Sequence, residues 1–76
     1  MTSTASLLET LAELEHRQWL HWSQATAPQV PETLRARWQE SWRPYAELPE
    51  EAKELDRAWA HQVLELLRER QVILPT

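Results

Sequence analysis

The stretch PEEAKELDRAWAHQVLELLR, residues 49–68, decides how the chain folds. Pro49 has its φ preset for a helical first turn and no amide hydrogen to leave unsatisfied there. Glu50 and Glu51 follow at the positive end of the helix dipole, and Arg68 and Arg70 stand near the negative end, where cations are favoured. Between them Ala52, Leu55, Trp59, Val63, Leu66 and Leu67 recur at helical spacing. The pattern predicts a long helix with this stripe as its apolar face.

Working outward, Pro44 and Pro49 bracket a short connector, Arg43 to Leu48, that carries Tyr45. Upstream of it, Pro31 and Glu32 open a short helix running to about Trp42, with Leu34, Trp38 and Ser41/Trp42 on one side. Ala25 to Val30 reads as a loop. Before it lies a long first helix, from about Ser6 to about Gln24. Ser6 with Glu9 three residues on fits a capping box, and Ser3 or Thr4 is an earlier alternative cap. Leu7, Leu8, Leu11, Leu14, Trp19 and Trp22 form its apolar positions, and Glu13 pairs with Arg17 at i,i+4. The expectation is an all-α, compact three-helix domain, long–short–long, spanning residues 1–76 as one unit. Its ends, 1–5 and 75–76, are frayed, and Val72 to Leu74 form an apolar tail that packs back on the body or on a second subunit.

Composition narrows what such a domain does. At 76 residues the core is small and stability marginal. The chain has no Cys, so neither a disulfide nor a thiolate metal site staples it. Five Trp and self-association are the remaining devices, which makes a homodimer plausible. Gly is also absent, which removes phosphate-binding loops, dinucleotide-binding turns and nucleophile elbows at once. The net charge of −4 argues against direct nucleic-acid or membrane-surface binding, both of which need a basic patch. No apolar run approaches the ~20 residues of a bilayer span, and Met1 to Ala5 lack the features of a signal peptide. These features predict a cytoplasmic protein.

His16, His21 and His61 lack metal-ligand spacing, so no metal and no other cofactor is expected. No nucleophile stands beside a base and no paired carboxylates stand out, so catalysis is not expected either. The tryptophans are more informative. Trp19 and Trp22 lie on one face of the first helix, with Glu15 one turn before Trp19. A carboxylate within an aromatic stripe needs a partner when buried. Arg57, Lys53, Arg43 or a ligand's donor group can supply it. An indole beside a carboxylate suits a planar, polar ligand such as a nucleobase. Trp38 and Trp59 read instead as core.

Two blocks resemble the RyR domain, the repeat named after ryanodine receptors and found also in small bacterial and phage proteins. Leu11-Ala12-Glu13-Leu14-Glu15-His16-Arg17-Gln18-Trp19 is similar to its opening helix motif. Pro44-Tyr45-Ala46-Glu47-Leu48-Pro49-Glu50-Glu51-Ala52-Lys53-Glu54-Leu55-Asp56-Arg57 is similar to its second signature. Receptor repeats carry a Gly-containing turn and an Arg-Asp-Asp stretch between the blocks. Ser23 to Trp42 stands there here, closer to the compact phage-type relatives, so the receptors' ligand-contacting loop does not carry over. The resemblance implies an adenine-nucleotide-like ligand stacked on Trp19, with Glu15 and His16 as polar neighbours. It also brings in Tyr45, Lys53, Asp56 and Arg57. Lys53 and Arg57 share a helical face and can hold a phosphate, while Arg57 can equally form a structural ion pair with Glu15.

Together these readings give a non-enzymatic module that binds a nucleotide-like small molecule through Trp19, Glu15, His16, Trp22, Tyr45, Lys53 and Arg57. As a homodimer it would sandwich one ligand between two copies of Trp19. In a phage it would act in the host cytoplasm as a sponge for a nucleotide immune signal. The alternative is a protein–protein interaction module or inhibitor that docks on a host protein through exposed Trp and Arg anchors.

Overall fold

The computed structural model describes residues 4–71, with side chains from Ser6 onward. The order is helix α1 (Thr4–Thr26), a single 3-10 turn (Ala27–Gln29), helix α2 (Glu32–Gln39), a second 3-10 turn (Tyr45–Glu47) and helix α3 (Glu50–Glu69). The long–short–long pattern of an all-α, three-helix domain is therefore present, with no strand among the described residues. Of the ends expected to fray, 1–5 and 75–76, residues 4 and 5 instead belong to α1, and 1–3, 75–76 and the Val72 to Leu74 tail lie outside the described residues.

α1 is longer than its apolar pattern indicates. It begins at Thr4, before the Ser6 capping box, and runs through Thr26 to the turn containing Pro28. α2 is shorter, ending at Gln39 rather than near Trp42, because Pro44 bounds a helix from outside without forcing it to continue. Arg35 ties α2 back to the preceding turn. Its Nε donates to the Ala27 carbonyl (2.8 Å) and its Nη2 to the Val30 carbonyl (3.1 Å). α2 has no buried residue of its own. Trp38 holds it against α1, 5.4 Å from the Trp22 ring and 6.3 Å, edge-on, from Trp19. Trp42 then donates its indole hydrogen to Ser23 Oγ (3.1 Å).

The core is Ala12, Tyr45, Leu48 and Ala60, with Leu8, Leu11 and Ala52 packed against it. Ala12 and Ala60 are fully inaccessible. Two methyl-sized side chains at one crossing let α1 and α3 approach closely, since interaxial distance follows the side chains at the contact. That crossing also sets the rotation of α3. Ala60 and Leu64 point inward, while Leu55 is 71 % exposed, Trp59 58 % and Leu66 52 %, with Val63 at the margin. The stripe expected to face the core thus faces outward over most of its length, and Trp59 is not a core residue. Leu14 and Trp22 of α1 are likewise exposed, at 44 % and 54 %.

α3 ends at Glu69 with Arg70 as its cap, and Gln71 adopts φ 60°, the left-handed region in which helices usually place Gly. With no Gly in the chain, a side-chain-bearing residue takes that position.

Filling the crossing should separate the helices. Ala60→Leu is expected to lower unfolding stability by ~1–3 kcal/mol through overpacking, measured as a shifted urea midpoint at unchanged slope. A neutral effect would show that α1 and α3 do not meet there.

Candidate functional site

A groove of about 300 Å³ runs between α1 and α3. α1 contributes Glu15, His16 and Trp19, α3 contributes Ala52, Leu55, Asp56 and Trp59, and Ser41 and Leu48 complete the lining. Spacing explains the set. Glu15 and Trp19 are one turn apart on α1, and Leu55 and Trp59 are one turn apart on α3, so each helix lends one wall with an indole in it.

His16 forms part of the base. It is buried, and its Nε2 donates to the Arg43 carbonyl at 2.6 Å. A carbonyl only accepts, so that nitrogen carries the proton and Nδ1 is left facing Asp56 Oδ2 at 3.6 Å. The imidazole stacks on Trp19 with ring centroids 5.8 Å apart and planes 23° from parallel. Trp19 is therefore braced from two sides, by His16 and by the edge of Trp38. Asp56 is largely enclosed, and burial raises its carboxyl above the ordinary value; His16 opposes that rise and Glu15 adds to it. No Lys or Arg lines the groove.

The cations lie elsewhere. Arg57 Nε donates to Glu9 of α1, and its Nη1 donates to Glu50 (2.8 Å) and Glu54 (2.7 Å). The Tyr45 hydroxyl donates to the other Glu9 oxygen at 3.0 Å. Lys53 sits 5.6 Å from the centroid of the Tyr45 ring and 3.9 Å from Glu50. Arg57, and then the Tyr45 hydroxyl, hold Glu9 below its ordinary pKa. Burial, followed by the bond to Glu9, pushes Tyr45 up to about 12.

Of the seven residues expected to bind ligand, Glu15, His16 and Trp19 come together in the groove. Trp22 packs on Trp38 outside the groove lining. Tyr45 is buried beneath the helices. Lys53 and Arg57 are engaged with Tyr45, Glu9, Glu50 and Glu54, so the ion pair of Arg57 is with Glu9 and not with Glu15. Sequence reading missed Trp59 and Leu55 as groove residues, since both sit in an apolar stripe that reads as core. Asp56 three residues before Trp59 is the available signal, a carboxylate inside that stripe. Among the described residues no group of His, Asp and Glu is placed to hold a metal ion, and no helix is long and apolar enough to cross a membrane. Compared with known proteins, the chain matches no family model, no curated protein and no solved structure.

The Glu9 cluster makes stability depend on pH. A carboxyl whose pKa is lowered on folding contributes stability above its unfolded value, 4.5, and loses it as pH falls through the folded value. Glu9→Gln should therefore be less stable than wild type at neutral pH, and the two should converge below pH 4.5. Urea midpoints across that range test this, and parallel curves would contradict it.

Proposed function

We propose that this chain is a non-enzymatic binding module whose α1–α3 groove takes a planar group rich in hydrogen-bond donors, with an adenine-type base as the leading example. The observation that supports this reading is the pairing of two indoles with two carboxylates in one groove that no cation lines. Trp19, stacked on His16, and Trp59 both line the groove, and stacking a base on an indole is worth ~1–3 kcal/mol. Glu15 and Asp56 are acceptors, suited to an exocyclic amine. The Nδ1 of His16 stands 3.6 Å from Asp56 Oδ2, beyond hydrogen-bond distance. A ligand donor would offset the penalty that burial imposes on that carboxylate.

The groove favours the nucleoside part of a nucleotide-like ligand. Phosphates would find carboxylates here, while Lys53 and Arg57 are engaged with other partners. The similarity to the RyR domain supports Trp19 as the stacking platform. It also supports sequestration as the use, in a phage against a nucleotide immune signal in the host cytoplasm. Self-association belongs to the same reading, since so small a core gains from any further burial. A second reading, a module that docks on a host protein, is favoured by one observation: Leu55, Trp59 and Leu66 are more than half exposed along one helix.

Titration of the protein's tryptophan fluorescence with adenosine and adenosine monophosphate separates the two. Saturable quenching is expected, adenosine binding at least as tightly as the monophosphate, and Trp19→Ala should weaken it tenfold or more while helicity is retained, roughly the ~1–3 kcal/mol of one stacked base. No quenching, unchanged affinity in Trp19→Ala, or much tighter binding of the monophosphate would overturn the groove as a base site.

A further inference from the structure

The outer stripe of α3 is chemically complete and uncovered. Apolar side chains occupy roughly half of the helix circumference, at ~100° per residue. α1 covers the half that carries Ala60 and Leu64. The other half, Leu55, Trp59, Val63 and Leu66, is open to solvent for three turns. Among the described residues these side chains stay 36–71 % exposed.

We infer that this stripe is covered by the same stripe of a second copy, in antiparallel register with the twofold axis beside residue 61. The sequence of the stripe is self-complementary about that point. Leu55 falls opposite Leu66 of the other copy, and Trp59 falls opposite Val63, a large side chain against a small one. An isologous interface requires such mutual pairing. Charge selects the direction. Glu50 and Glu51 occupy the first turn of α3, and Arg68 and Arg70 stand at its other end, interleaved with Glu65 and Glu69. The antiparallel register brings Glu51 of each copy to Arg70 of the other, and it opposes the two helix dipoles. A parallel register would set the Glu pairs against each other. Among the described residues neither Glu51 nor Arg70 has an ion-pair partner within the chain.

The pairing also bears on the groove. Trp59 belongs to both the stripe and the groove wall. In the dimer Val63 of the second copy closes over the Trp59 indole and narrows the mouth. This inference rests on the self-association part of the reading above, not on the identity of the ligand.

Sedimentation velocity on the full chain over a concentration series tests it. Wild type is expected to be a dimer. Val63→Glu and Leu66→Glu stand at accessible positions outside the groove lining, so each should give a monomer of unchanged helicity. Glu51→Arg or Arg70→Glu alone should weaken the dimer several-fold, and the two together should restore it. A wild type that stays monomeric, a dimer indifferent to Val63→Glu and Leu66→Glu, or a double charge swap that fails to restore would overturn the interface or its register. Adenosine titration of Val63→Glu keeps the two proposals apart: a monomer that still binds shows the groove reading standing whatever becomes of the dimer.

Discussion

The packing of α1 on α3 around the buried alanines Ala12 and Ala60 governs the rest of the molecule. Two small, fully inaccessible side chains bring α1 and α3 close, and each flank of that contact carries a polar tether. On one flank Arg57 of α3 reaches Glu9 of α1, and on the other Asp56 faces His16. Residues 56 and 57 are about a hundred degrees apart on a helix, so the Arg57–Glu9 bond on one flank and the buried His16 facing Asp56 on the other together restrict how α3 rolls. The rotation they select turns Leu55, Trp59 and Leu66 outward and leaves a groove where the helices diverge. Groove and stripe are two consequences of one helix orientation.

That orientation also sorts charge. Every acid–base partner of Arg57 lies on its own side of α3 or on Glu9, and the Tyr45 hydroxyl satisfies the remaining Glu9 oxygen. The cation is consumed in holding the helices together. On the groove side the balance is reversed, with Glu15 and Asp56 present and no Lys or Arg. One helix therefore presents a paired ionic cluster on one flank and an acidic, aromatic one without a Lys or Arg on the other. The second is where a bound group lowers the free energy most, because a partly buried carboxylate gains from a donor while a paired one does not.

Proline punctuation and helical periodicity made the three helices legible in the sequence, and Pro31 and Pro49 stand immediately before α2 and α3. Periodicity could not tell which half of a wide apolar arc faces inward. Leu55 and Trp59 compete there with Ala60 and Leu64, and hydrophobicity alone favours the larger pair. The outcome depends on how closely two backbones approach, and Ala12 and Ala60 decide that at a distance of forty-eight residues. Trp59 was misplaced for the same reason. Glu15, His16 and Trp19 were findable because their helical spacing is local. The partner of Arg57 was not, because Glu9 and Glu15 both lie on α1 and only the crossing point distinguishes them.

The small core gives these features a common energetic logic. A 76-residue chain with its central crossing built from alanines buries few large side chains, and its largest aromatic groups remain partly or mostly exposed. Whatever binds the folded form alone then stabilises it by mass action, and the smaller the intrinsic stability, the larger the share such binding supplies. A second copy on the α3 stripe and a planar group in the groove would both act on Trp59. Covering one face of the indole restricts its rotamers and lowers the entropy that remains to be lost when the other is covered. Occupancy of the two surfaces is therefore expected to be coupled in the favourable direction, and by linkage each should tighten the other by the same factor.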